Sequence, residues 1–110
     1  MYAIPTAADR LGVTPGALRK ALDRGETIAN LTRACGLDPD EMTLAVIDAE
    51  VADVEALALI SGFDDTEIAL FVSELRAFII TFVWDGEAAA NARFDAGTIE
   101  WVGERELAAA

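Results

Sequence analysis

Gly12-Val13-Thr14-Pro15-Gly16-Ala17-Leu18 reads as a helix stop followed at once by a helix start. Glycine closes a helix because it takes left-handed backbone angles at little steric cost. Thr14 offers a side-chain oxygen to the free N–H groups of the next helix. Pro15 opens that helix, where its missing N–H is not needed and its fixed φ already suits. Leu18, three residues on, supplies an apolar anchor. The same grammar returns as Gly36-Leu37-Asp38-Pro39-Asp40-Glu41-Met42 and as Gly62-Phe63-Asp64-Asp65-Thr66-Glu67-Ile68. Three such turns in 110 residues predict an all-α fold: a compact bundle of about five helices with helix-turn-helix-like units.

Outward from these turns, Thr6 is a cap for a short helix over 7–11. A second helix runs from Pro15 to about Arg24 and stops at Gly25. A third starts near Thr27 and ends before Gly36. Asp38, with Glu41 completing a capping box, starts a fourth that continues to about Ile60. The acidic stretch 48–53 is where that helix would be interrupted. Asp64 and Glu67 open a fifth, running to about Val83 before the stop at Asp85-Gly86. After it, Ala92-Arg93-Phe94 and Thr98-Ile99-Glu100-Trp101-Val102 flank Asp95-Ala96-Gly97, which suggests a small C-terminal β-hairpin, a wing beside the helices. The plainer reading of that segment is a loop and a frayed helix, since 88–93 and 104–109 have helix-forming composition. No linker divides the chain. A single domain over 1–110 is expected, with a helix-turn-helix-like unit at 1–36, acidic, apolar-cored helices at 37–84 and an extension at 85–110.

Composition bounds the function. The chain is 54% hydrophobic with a formal charge of −12. The charge is uneven. Up to Gly36, five basic residues (Arg10, Arg19, Lys20, Arg24, Arg33) stand against three acids; beyond it, three stand against seventeen. Only the first third would tolerate a phosphate backbone. The longest apolar run, 68–84, contains Glu74 and Arg76, so it reads as a buried helix and no membrane span is expected. No basic segment followed by an apolar stretch opens the chain, and Cys35 is the one cysteine, so a cytoplasmic location is expected. Cys35 follows a helix among apolar neighbours and reads as a buried structural thiol.

Catalytic provision is poor. The chain has no histidine, which removes every His-based triad, acid–base pair and metal site. Ser61 and Ser73 have no base at a telling distance, and the single glycines make no phosphate-cradling loop. The acids at Asp38/Asp40/Glu41 and Asp64/Asp65/Glu67 fail as calcium loops. From Asp38 the fifth, sixth and twelfth places hold Met42, Thr43 and Ala49; from Asp64 they hold Ile68, Ala69 and Leu75. Helix capping and the helix dipole explain these acids. The expectation is a non-enzyme with no cofactor and no metal.

Tyr2, Ile4-Pro5, Ala7-Ala8 and Arg10-Leu11-Gly12-Val13-Thr14-Pro15, with Leu18-Arg19 and Arg24-Gly25-Glu26, resemble the helix-turn-helix of excisionase-like and MerR-like DNA-binding proteins. The match spans residues 2–26. It implies a recognition helix from Pro15, with Arg19 and Lys20 facing DNA beside Arg10 and Arg24, and Gly16 and Ala17 near the groove. The sequence departs from that pattern where Pro15-Gly16-Ala17 stand in place of base-reading polar side chains, and Asp23 adds a repelling charge. The plainer reading of Arg19, Lys20 and Arg24 is a solvated helix face. A weaker similarity, over Leu11 to Asp38, is to small alanine-rich bacterial helical repeats of unknown function. Residues 32–62 loosely resemble a repressor-type helix-turn-helix, but Asp38, Asp40 and Glu41 on its second helix would repel phosphate.

The helix over 64–83 is apolar almost all round. Phe71, Leu75, Phe78, Phe82 and Trp84 are candidates for an oligomer interface; the competing reading is a central core helix. Taken together, the sequence points to a small DNA-binding accessory or transcriptional regulator, bound through Arg10, Arg19, Lys20 and Arg24 and assembled through the apolar helices. Its partners would be DNA, itself or another protein. The alternative is a non-enzymatic protein-interaction or assembly module that uses the helix-turn-helix geometry only for packing. A third reading, carried by charge alone, is an acidic inhibitor that imitates DNA.

Overall fold

Each of the three glycine turns joins two helices. The computed structural model describes residues 3–95, with side chains as far as residue 93, and among these it contains six helices and no strand. They are α1 (Ala3–Leu11), α2 (Pro15–Asp23), α3 (Ile28–Ala34), α4 (Pro39–Ser61), α5 (Asp65–Asp85) and α6 (Glu87–Asp95).

The turns follow one pattern. Gly12 sits at φ 73°, and its N–H donates to Asp9 O at 3.2 Å while Val13 N–H donates to Ala8 O at 3.0 Å. These bonds satisfy carbonyls left free at the end of α1. Leu37 N–H repeats the longer reach to Thr32 O at 3.0 Å, and Phe63 N–H to Ala58 O at 3.1 Å. At the starts, Thr14 Oγ1 accepts from Ala17 N–H at 3.1 Å and Thr27 Oγ1 from Asn30 N–H at 3.1 Å. Asp64 Oδ1 accepts from Glu67 N–H at 2.8 Å, and Asp38 Oδ1 from Asp40 N–H at 2.9 Å.

Four expectations change. First, α1 begins at Ala3 rather than after Thr6. Pro5 falls in its first turn, where a proline removes no intrahelical bond. Second, α4 runs unbroken through 48–53. That stretch has no glycine or proline to stop it, and Asp48 is exposed on the solvent side. Third, there is a sixth helix, and Ala92, Arg93 and Phe94 lie in it rather than in a hairpin arm. Its alanine-rich opening favours helix. Residues 96–110, which hold the other half of the expected hairpin, lie outside the described residues. Fourth, Cys35 is exposed. It is the C-cap of α3, one place past the helix whose buried face is Ile28, Ala29 and Thr32.

The bundle is built on α4 and α5. In α1, Ala3, Ala7 and Ala8 are fully buried, and side chains this small let α1 lie close against α4. Leu18, Ile28, Val46, Ile79 and Val83 fill the centre. Trp84 ties three helices together: its Nε1–H donates to Thr43 Oγ1 at 3.0 Å, and the Arg33 guanidinium lies 5.1 Å over its ring. One turn back along α5, Arg93 donates to Thr81 Oγ1 at 3.2 Å, fixing α6 to α5.

Coverage of α4 and α5 is uneven. Buried residues on α4 run from Met42 to Glu50, and those on α5 from Leu75 to Val83. Between them, over 51–74, Ala58 is the one buried side chain. The short helices therefore surround the first half of α4 and the second half of α5. The rest stands out as an αα-hairpin, in a molecule measuring 44 × 26 × 22 Å. No helix of the described residues is long and apolar enough to cross a membrane.

Glu50 marks where coverage ends. It is 6% exposed, and its Oε1 has no hydrogen-bond partner among the described residues. A buried polar atom left unpaired costs about 1–3 kcal/mol. Glu50→Leu is therefore expected to raise the free energy of unfolding in urea by about 1 kcal/mol or more; a loss of stability would mean that the carboxylate holds structure together.

Candidate interaction surface

The residues first considered for DNA contact do not form one free basic face. Arg19, on α2, is clamped by two carboxylates. Its Nη1 and Nη2 reach the two oxygens of Glu87 on α6 at 2.6 and 3.1 Å, and its Nε and Nη2 reach Asp23 Oδ1 at 3.0 and 2.7 Å. The hydrogen bonds Arg19 donates to Glu87, then those it donates to Asp23, hold the guanidinium still further above the ordinary arginine range. Arg19 thus joins the N-terminal unit to α6 across 68 positions of sequence. A phosphate would have to displace both acids to reach it. Arg24 pairs with Glu26 at 3.4 Å. Arg10 and Lys20 are exposed, with no ion pair among the described residues.

The residues first considered for an oligomer interface divide in two. Leu75 (7% exposed), Phe78 (7%) and Phe82 (2%) belong to the core of the single chain, with the Phe78 and Phe82 rings 6.1 Å apart. The reading of α5 as a central core helix holds for them, because α3, α4 and α6 supply enough cover at that end. Phe71 and Trp84 are half-buried against the same core.

The most exposed large apolar side chains lie elsewhere, on the projecting hairpin. Leu57 is 64% exposed, Leu59 72% and Ile60 85%, with Phe63 in the turn and Leu70 on α5 also exposed. On α4 the positions 46, 50, 53, 57 and 60 fall at alternate steps of four and three, so they make one row along the helix. The row's lower members, Val46 and Glu50, are buried; its upper members, Leu57 and Ile60, are bare. The upper row is patterned for a contact that the short helices do not reach. Sequence reasoning passed over Leu57 and Ile60 because α4 is apolar on more than one side, and its pattern does not say where the neighbouring helices end. A second signal was legible. Between Arg33 and Arg76 no basic residue occurs, so the hairpin's six carboxylates (Asp53, Glu55, Asp64, Asp65, Glu67, Glu74) have no cation among them in sequence.

A cleft between α1, α2 and α3, lined by Leu11, Val13, Leu18, Leu31 and Cys35 among others, has a volume of about 100 Å³. Ligand pockets for drug-sized molecules run to roughly 300 Å³ and more. Among the described residues no three Cys, Asp or Glu side chains gather as a metal site. Comparison with protein-family models, with curated proteins and with solved structures finds no match to this chain.

The ion-pair geometry separates Arg19 from Lys20. Arg19→Ala is expected to lower the thermal midpoint at low ionic strength, by an amount that shrinks in concentrated salt, whereas Lys20→Ala leaves it unchanged. Equal effects from the two substitutions would contradict a structural role for Arg19.

Proposed function

We propose that this protein is a non-enzymatic interaction module whose α4–α5 hairpin docks another polypeptide. One observation carries this reading: Leu57 and Ile60 stand 64% and 85% exposed, one turn apart on a helix end that the other described residues do not cover. Single exposed leucines are ordinary; Leu57 and Ile60, neighbours on one face and continuing a row that is buried lower down, mark a contact site. The N-terminal unit is then a scaffold. It brackets the base of the hairpin, with Arg19 and Trp84 as internal ties.

DNA binding through Arg10, Lys20 and Arg24 is the competing reading, supported by the exposure of these three side chains and by the resemblance of residues 2–26. Against it stand the two acids on Arg19, the Glu26 partner of Arg24, and the absence of a base-reading side chain at Pro15-Gly16-Ala17.

The test is a panel of amphipathic helical peptides sharing one apolar face, with mixed-sequence duplex DNA titrated in parallel at low salt. The hairpin reading predicts that at least one peptide binds, that Leu57→Ser/Ile60→Ser abolishes that binding without lowering stability, and that duplex does not bind. Both side chains are mostly solvated, so the double variant is expected to keep the fold. Duplex binding lost in Lys20→Ala, with no peptide bound, would overturn it in favour of DNA.

A further inference from the structure

We infer that the partner of the α4–α5 hairpin is a cationic amphipathic helix: apolar on the side that meets Leu57 and Ile60, and Lys- or Arg-rich along its edges. This rests on the docking reading above and specifies the chemistry of its occupant.

Charge complementarity singles out this occupant. On the hairpin that presents the bare row, Glu55 and Asp65 are exposed, and Asp53, Glu67 and Glu74 are half-buried. No lysine or arginine lies between Arg33 and Arg76 to offset them. An apolar row on a hairpin whose charged residues over 51–74 are all acids is matched by a helix with an apolar face and basic flanks. Glu50 adds a carboxyl group at the foot of the row, below the reach of a docked helix. It precedes Leu57 by seven residues and so lies on the same side of α4, and its buried Oε1 has no hydrogen-bond donor among the described residues.

The same charges disfavour a second copy of this chain. Two hairpins packed as a four-helix bundle would bring twelve carboxylates together without one intervening base from either hairpin. In a chain of net charge −12 the remaining surface does not relieve that repulsion. The apolar strip supplies the affinity for a helix partner, and the acids select its sign.

The experiment uses the full chain and three synthetic helical peptides with identical leucine positions, whose polar positions are all Lys/Arg, all Glu, or all Gln/Ser. Binding is followed by calorimetry, and the mass of the protein alone by sedimentation equilibrium. The expected result is a monomer that binds the cationic peptide at least about tenfold more tightly than the neutral one and shows no binding of the anionic one. Added salt narrows the cationic preference. Asp65→Lys/Glu67→Lys, both outside the core, is expected to remove the preference while leaving neutral-peptide binding intact. Equal binding of all three peptides, abolished by Leu57→Ser/Ile60→Ser, overturns the cationic inference and leaves the docking reading standing. No peptide bound overturns both. A concentration-dependent dimer lost in Leu57→Ser/Ile60→Ser makes the occupant a second copy and overturns this proposal.

Discussion

The two long helices outrun the short ones. α4 has 23 residues and α5 has 21, while α1, α2 and α6 have nine each and α3 has seven. At 1.5 Å per residue, nine residues cover about 14 Å of a helix that is about 35 Å long. The short helices converge on one end of the α4–α5 pair and make a full core there. Beyond Glu50 and before Leu75, Ala58 is the one buried side chain, and Val51, Val54 and Phe71 reach the core only in part. Two helices bury one stripe between them, here around Ala58, and leave their other apolar positions bare. The exposed row, the projecting shape and the functional reading all follow from this mismatch of lengths.

Charge separates along the same axis. Among the described residues the covered end carries the basic side chains, and three of them are put to structural use. Arg19 is held by Glu87 and Asp23, Arg33 stacks over Trp84, and Arg93 donates to Thr81. The uncovered end carries acids and no base. A helix-turn-helix-like arrangement at one end is therefore compatible with a binding surface at the other. Fold geometry alone does not assign a function, and the side chains displayed on it decide the argument.

Local grammar was legible because it depends on neighbouring residues. Gly12, Gly36 and Gly62 with Thr14, Asp38 and Asp64 specify stops and starts within a few positions, and the helix boundaries follow them closely. What sequence could not show was tertiary. Arg19 and Glu87 are 68 positions apart, and nothing in either local pattern pairs them. Whether Phe78 is core or interface depends on which helices pack on α5. The same holds for Ile60, which looks like Ile79 in sequence but is 85% exposed where Ile79 is fully buried. The expected wing hairpin drew on alternation at Ile99 and Trp101, outside the described residues, while its first arm belongs to α6, where helix propensity prevails.

The central claim, that one end of the α4–α5 pair is covered and the other is not, is tested most directly by native-state hydrogen exchange on the free protein. Amides of residues 75–83 and 42–50 are predicted to exchange only on global unfolding. Those of 52–60 and 66–73 are predicted to exchange markedly faster, through local opening of the distal hairpin. Uniform protection along both helices would contradict the account, because it would mean that the distal half is buried as well as the proximal half.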